Sequence, residues 1–351
     1  MEKEQRRDAS NFATGFSDKF EPLEALDIGK AKDFDELAKA MSKTAFGGRT
    51  LGEAVDVLHE MASDKECFIV GTFSGAMTVA KMGLLICDMI DRGMLHAIVT
   101  TGALMTHGFV ESVGMRHFKH KFNMNDEELY EKGYDRVYDT LELEKNLDDT
   151  EIVIAKVLDG DKNEVMSSYR LNYLLGEYLH KNVKGRAILK SAYQKKVPVY
   201  IPAFTDSEMG LDFAIYNRKR AMKKIKPLLF DSFFDLEEYT EKIQKAKKIG
   251  IFTIGGGVPR NWAQQVGPYL DIIEKRVGSG GGFKRFHYGV RICPEPVNWG
   301  GLSGCTYSEG ISWGKFVPEK DGGRYAEVLA DATIAWPIIL KAVFERLEKN
   351  K

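Results

Sequence analysis

The chain holds little from which to build covalent or metal staples. Only four of its 351 residues are cysteines, Cys67, Cys87, Cys293 and Cys305, and their spacing matches no zinc pattern. That excludes a disulfide-stapled extracellular scaffold and suits a reducing cytoplasm. An excess of one charge is missing too: 50 Lys+Arg stand against 51 Asp+Glu, a formal net charge of −1. Nucleic-acid binders normally carry a basic surplus, so nucleic acid is not an expected partner. No apolar run reaches the roughly 18 residues of a membrane span. The opening Met-Glu-Lys-Glu-Gln-Arg-Arg leads into no signal-peptide core, so neither membrane insertion nor secretion is expected. Also absent are G-x-G-x-x-G and the Walker sequence, the usual glycine fingerprints for nucleotides. What is present is a composition 44% apolar and 11% aromatic, enough for a large core and against global disorder.

The length suits one large α/β unit, with residues 1–22 as a polar N-terminal arm and 23–351 as a single domain. Phe34, Leu37, Ala38 and Met41 form a helical stripe. A break at Gly47-Gly48 then precedes Thr50-Leu-Gly-Glu53, which has the form of a capping box for a helix carrying Ala54, Val55, Leu58 and Met61. Cys67-Phe-Ile-Val70 reads as a buried strand, residues 76–92 as a crossover helix, and Leu95–Val99 as a second strand. This is a βαβ unit and implies a parallel sheet. Residues 115–190 are charged and read as mostly helical, with Tyr130, Tyr134, Tyr138 and Leu143 as buried positions. Further strands are expected at 197–203, 249–254, within 278–289 and at 325–331, helices at 234–248 and 335–347, and a Gly/Pro/Trp-rich loop at 294–314. The expected architecture is a Rossmann-like, doubly wound, mostly parallel sheet with helices on both faces.

Several strand ends carry small, hydroxylic or acidic residues: Thr72-Phe-Ser74-Gly75, Thr100-Thr101-Gly102, Thr205-Asp206-Ser207 and Gly255-Gly256-Gly257. Ligands of open parallel sheets lie beyond the carboxyl ends of the strands, where glycine admits a pyrophosphate and carboxylates accept ribose hydroxyls. Singly, each turn is an ordinary corner; together they favour a nucleotide site. In Glu309-Gly-Ile-Ser-Trp-Gly-Lys315 a lysine follows a tryptophan and lies near a carboxylate. A lysine desolvated against an aromatic face favours its neutral amine, which can form an imine. Carboxylates and indoles around these loops suit a cationic ligand such as a polyamine. His107, His117 and His120 have the look of a metal set, but no cysteine or paired carboxylate supports them, and no metal is expected.

Thr100-Thr101-Gly102, Pro202-Ala-Phe-Thr205-Asp206, Ile254-Gly-Gly-Gly257, Ser312-Trp-Gly-Lys315 and Ala330-Asp331-Ala332 occur here in the order found in deoxyhypusine synthases, and the chain resembles that family over about residues 40–345. Ser74-Gly-Ala-Met-Thr78 and Trp299-Gly-Gly-Leu-Ser-Gly304 are similar to its bacterial branch, which includes homospermidine-forming enzymes. The resemblance implies an NAD-dependent aminobutyl transferase, homotetrameric, with active sites at a dimer interface. In that chemistry spermidine is oxidised beside its secondary amine, Lys315 captures the carbon, 1,3-diaminopropane leaves, and an acceptor amine then displaces the lysine. Trp313 would wall the polyamine slot and Glu309 hold a terminal ammonium. The implied cofactor contacts are Ser74, Gly75, Thr78, Thr101, Gly102, Asp206, Gly256, Asp331 and Ala332. The substrate half departs from the family: Thr106-His107 stands at an acidic pair, Asn261 at a histidine, and Leu211, beside Asp212, at an acidic residue. Trp299 and Leu302 replace a second acidic pair. His107, Asn261 and Asp212 are therefore candidate substrate contacts. The acceptor stays open between a translation-factor lysine, giving deoxyhypusine, and putrescine, giving homospermidine. The alternative is a catalytically inactive homologue that binds NAD or polyamine.

Overall fold

A computed structural model of the chain describes residues 7–349. Helices α1 (Phe34–Ser42) and α2 (Phe46–Ser63) lead into strand β1 (Cys67–Phe73), followed by α3 (Gly83–Asp91), β2 (Ala97–Thr100) and α4 (Gly102–Ser112). An excursion then carries β3 (Phe118–Lys119), α5 (Asp126–Glu131), β4 (Tyr134–Val137) and β5 (Thr140–Leu143). The chain returns through α6 (Glu144–Gly160), β6 (Val165–Met166), α7 (Ser168–Asn182), α8 (Ile188–Lys195) and β7 (Val199–Tyr200). Next come α9 (Glu208–Met222), β8 (Leu229–Phe230), α10 (Ser232–Lys245) and β9 (Lys248–Ile254). The last elements are α11 (Gly257–Gln264), α12 (Val266–Val277), β10 (Phe286–Ile292), α13 (Tyr307–Ser312), β11 (Arg324–Val328) and α14 (Ala332–Lys349).

The main sheet has six strands in the order β11-β10-β9-β1-β2-β7, all parallel. Its central strands are buried on both faces, which is why they read as continuous apolar runs rather than alternating ones. Along β9 the side chains still divide: Phe252 and Ile254 join the core under α2 and α14, while Ile249 and Ile251 face Tyr239, Ile243, Val266 and Leu270 of α10 and α12. The doubly wound α/β architecture is as expected. The strand order switches direction between β9 and β1, and parallel pairing places the strand ends Phe73, Thr100 and Ile254 side by side, so the loops that follow them open on one edge.

Four local expectations are corrected. Helix α2 starts at Phe46 and runs straight through Gly47-Gly48, so neither the break nor the capping box exists; Thr50 Oγ1 instead donates to Gly47 O at 3.2 Å. The glycine that matters is Gly52, where a Cβ would stand 2.5 Å from Ala38 O and Ser42 N, so its absence lets α1 and α2 touch backbone to backbone. The crossover helix begins at Gly83 rather than residue 76. The strand expected over 197–203 shrinks to Val199–Tyr200. Finally, the charged stretch after residue 115 is not mainly helical at its start: β3, β5 and β4 make a small antiparallel sheet. Tyr130 and Tyr138 are exposed there, Tyr138 at the tip of the β4–β5 hairpin with φ +54°, and Tyr134 and Leu143 are only half-buried. Of the arm, residues 7–22 have no buried residue and only a short 3-10 turn, Ala9–Asn11, and a turn over Phe16–Lys19; residues 1–6 lie outside the described residues. No helix among the described residues is long and apolar enough to cross a membrane.

Candidate active site

Lys315 follows the short helix α13, whose N-terminus is capped by Thr306 Oγ1 accepting from Glu309 N at 3.0 Å. Gly314, at φ +68°, turns the chain so that Lys315 N donates to Gly310 O, and Lys315 O accepts from Phe286 N at 3.0 Å. The lysine backbone is thus fastened to the first residue of β10, and the side chain is aimed inward with only 7% exposed. Its Nζ donates to Asn261 Oδ1 at 2.9 Å and lies 6.0 Å from the Trp313 ring centre. Burial pushes the Lys315 ammonium below the usual lysine range; Cys305 and Glu309 oppose this, and the nearby Arg260 charge adds to it.

Lys315, Asn261, Glu309 and Trp313 share one cavity of about 270 Å³, with Cys305 and Leu302 in its wall. A larger cavity of about 550 Å³ lies between α7 and α8, lined by Tyr173, His180 and Tyr193. Size does not locate the chemistry here, because the larger space has no buried nucleophile facing it. Around the smaller one, Trp313, Leu302 and Val297 form an exposed apolar rim.

Two arginines that the sequence did not single out hold the wall. Arg260, 2% exposed on α11, donates from Nη1 to Cys305 O at 2.6 Å and lies over the Tyr307 ring. Arg291 of β10 donates to Cys305 O at 3.0 Å and pairs with Glu327. The position of Arg260, next to Asn261 after the triple glycine, was the available signal, but nothing in a bare sequence separates a buried arginine from fifty basic residues.

The strand-end residues are stitched into one surface. Ser74 Oγ accepts from Gly256 N at 3.1 Å and donates to Gly256 O, and Thr101 Oγ1 donates to Gly75 O at 2.6 Å. Gly102 and Gly256 permit close approach: a Cβ on the first would meet Ser207 Oγ at 2.1 Å, on the second Ser303 Cα at 2.6 Å. Gly257, at φ +59°, opens α11 with only the Ser74 and Ser303 hydroxyls near it, both 3.9 Å from a built Cβ. These residues fit a dinucleotide: a helix N-terminus, flanking hydroxyls and room for phosphate oxygens. Asp331 is exposed and accepts from Thr333 N at 2.8 Å at the start of α14, where Ala332 is buried. Asp206 is exposed in the loop after β7. Thr78 is 1% exposed, with its hydroxyl donated to Leu104 O at 2.8 Å, so it supports α4 from beneath.

His107 and Asp212 do not line the lysine cavity. His107 projects from α4 onto Glu142 of β5, with Nδ1 3.0 Å from Oε2. Asp212 is buried within α9, its Oδ2 without a partner, and burial followed by the neighbouring Glu208 and Glu151 charges pushes its carboxyl up to about 7.

A family model described as deoxyhypusine synthase matches residues 36–343. A protein named probable deoxyhypusine synthase 2 from Methanosarcina acetivorans is 34% identical over 94% of this chain and 92% of its own length. A deoxyhypusine synthase-like protein from Chlorobaculum parvum is 32% identical, covering 91% and 88%. The chain belongs to the deoxyhypusine synthase family. Among solved structures, a candidate deoxyhypusine synthase from Entamoeba histolytica shares the fold with a TM-score of 0.58 at 16% identity, covering 92% of this chain and 97% of that one. Membership supports aminobutyl transfer in general terms, and the family is one that uses NAD.

Proposed function

We propose that the protein transfers an aminobutyl group from spermidine to an acceptor amine, with Lys315 as the covalent nucleophile and NAD as cofactor. The observation that carries this reading is a buried lysine, low in proton affinity, whose Nζ is anchored by Asn261 in a cavity edged by Glu309 and Trp313. A neutral amine that donates one N–H to Asn261 Oδ1 keeps its lone pair for attack on carbon. Glu309 balances the ammonium at the far end of the donor, and the Trp313 face lies against its methylenes and charge. Ser74, Gly75, Thr101, Gly102, Gly256, Asp206, Asp331 and Ala332 would hold NAD, which supplies a hydride acceptor when bound and returns the same hydride. Lys315 forms a C–N bond to the oxidised carbon as 1,3-diaminopropane departs, and leaves again when the acceptor amine takes its place. Burial, with the Arg260 charge adding to it, keeps the lysine's proton affinity low for the first step. The exposed apolar rim of Trp313, Leu302 and Val297 supports assembly into a homotetramer with the cavity closed by a neighbouring subunit.

The test is incubation with spermidine and NAD, borohydride reduction, and mass mapping of the adduct. A butylamine adduct on Lys315 with release of 1,3-diaminopropane is expected, without accumulation of NADH. An adduct on another lysine, or none, overturns the reading in favour of a homologue that binds without turnover. Parallel arms with putrescine and with a protein acceptor assign the second substrate.

A further inference from the structure

The sequence set aside a metal site at His107, His117 and His120 for want of a carboxylate. The fold supplies one. His107 of α4, His117 just before β3 and Glu142 of β5 converge, each offering a ligand atom within 4.8 Å of the others. His117 and Glu142 are fully enclosed, with side chains 0% and 1% exposed, and His107 is 17% exposed. His120 takes no part.

Within this trio both imidazoles converge on one carboxylate oxygen. His117 Nε2 stands 2.6 Å from Glu142 Oε2, a close ion-pair contact inside the buried cluster. His107 Nδ1 reaches the same oxygen from the other side at 3.0 Å, and the two rings meet edge to face with centres 5.5 Å apart. Two nitrogens and an oxygen packed side by side within 4.8 Å of one another have the spacing of adjacent corners around a shared centre. With metal–nitrogen and metal–oxygen bonds of about 2.0–2.2 Å, such corners lie roughly 3 Å apart.

The surroundings fit the same reading. Glu142 Oε1 accepts from Asn146 Nδ2 at 2.7 Å and Leu143 N at 2.9 Å, which leaves Oε2 facing the two imidazoles. Glu111 Oε1 lies 3.5 Å from His117 Nδ1, placed to take that proton once Nε2 ligates. Lys81 Nζ, 2.8 Å from the same Nδ1, already pairs with Glu111 and would stay on that carboxylate. The excursion itself lacks a core: between residues 113 and 143 the buried apolar side chains are Leu129 and Leu141, while Phe118, Phe122, Tyr130 and Tyr138 are exposed. Small sheets of this kind need a staple.

We propose that His107, His117 and Glu142 bind a first-row divalent transition ion of the Zn²⁺ class, which fastens the three-stranded sheet to α4 and keeps one coordination position open. Two imidazoles and one carboxylate select such an ion over Mg²⁺ or Ca²⁺, which favour all-oxygen sets. The proposal stands apart from the transferase reading, since neither Lys315 nor the strand-end surface contributes a ligand.

The experiment uses tag-free, full-length protein stripped with a chelator and desalted. Zn²⁺ is titrated in competition with a chromophoric chelator, and Co²⁺ is added to a parallel sample for its visible absorption bands. One equivalent is expected to bind, with affinity falling by at least about 10–100-fold in His117→Ala and in Glu142→Gln, since even residues that merely support ligands have effects of that size. Hydrogen exchange on the unaltered protein is expected to slow across residues 117–143 when Zn²⁺ is present. It also decides the matter should either variant fail to fold. Absence of stoichiometric binding, binding undiminished in folded variants, or protection that arises elsewhere would each overturn the site.

Discussion

Replacing Asn261 with Asp tests whether proton affinity, rather than mere position, makes Lys315 a nucleophile. The two side chains are nearly the same shape, so Nζ keeps a partner at about the present 2.9 Å, but the partner now carries a charge. Two unit charges about 4 Å apart attract by about 4 kcal/mol at an effective dielectric of about 20. Opposite charges at this range shift pKa values by about 1–3 units in proteins. Burial now holds the ammonium low, with Arg260 helping, Cys305 and Glu309 opposing. The carboxylate at residue 261 would reverse that balance. Below the lysine's pKa the free amine falls tenfold for each unit gained, so capture of the oxidised donor should slow by about 10–1000-fold at neutral pH. The assay is single-turnover borohydride trapping across pH, with NAD binding measured separately. The acid limb of the profile is expected to move up by about 1–3 pH units and the rate to recover at its alkaline end. Asn261→Ala should move the limb the other way, because an ammonium loses its acceptor. A limb that stays put in both variants, or a loss in the Asp variant that no pH restores while NAD still binds, refutes the reasoning.

Lys315→Met should abolish trapping yet leave stability unchanged or raise it by up to about 2 kcal/mol in urea unfolding, because a buried amine held by one hydrogen bond gives way to an apolar chain of similar length. Asp212 has its pKa raised from 3.8 to about 7. The folded state therefore holds a proton that the unfolded chain releases, and stability is greatest below the unfolded pKa and declines as pH rises through the folded one. Asp212→Asn should accordingly bring little gain near pH 4 and its full gain, at most about 4 kcal/mol, near pH 8, as read from melting curves across pH. Gly52→Ala pits helix propensity, about 1 kcal/mol in favour of alanine, against a Cβ driven 2.5 Å from backbone atoms of α1 that cannot turn aside. Overpacking of about 1–3 kcal/mol should win, lowering the urea midpoint without changing the slope.

The parts of the molecule legible in the sequence are those whose physics is local or repeated along the strand. β1 and β9 are buried on both faces, and no solvent-facing alternation blurred their apolar runs; β10, interrupted by His287 and Arg291, was placed within 278–289 but spans Phe286–Ile292. The small sheet was invisible because β3 to β5 are only two to four residues long and interrupted by Lys119, Asp135, Arg136 and Glu142, so no apolar run marks them. Gly47-Gly48 misled for a related reason: packing of α2 against α1 and α14 outweighs the local cost of two glycines in its first turn. In the site, Lys315, Glu309 and Trp313 were findable because they lie within seven residues of one another, so a short motif carried them. Asn261 came through the family likeness. Arg260 and Arg291, which hold the carbonyl of Cys305 from α11 and β10, reach the wall from 45 and 14 residues away, and no spacing rule connects them.

The same division separates the lysine corner from the rim around it. The lysine corner is over-determined: Phe286 pins the backbone of Lys315, Gly314 fixes its turn, Asn261 holds its amine, and the arginines brace the opposite wall. A change at the backbone anchors would misplace the amine by more than capture tolerates. The exposed rim is held less tightly. Leu302 sits on the exposed rim, where an apolar side chain leaves no buried charge unpaired, and Trp299 is exposed. His107 meets Glu142, from an excursion that barely has a core of its own. Residues whose bonds run to the sheet are held by the whole fold, and residues on the rim or the excursion answer only to what they bind. Substitutions on the rim can therefore reshape the mouth of the cavity without moving the Lys315 amine.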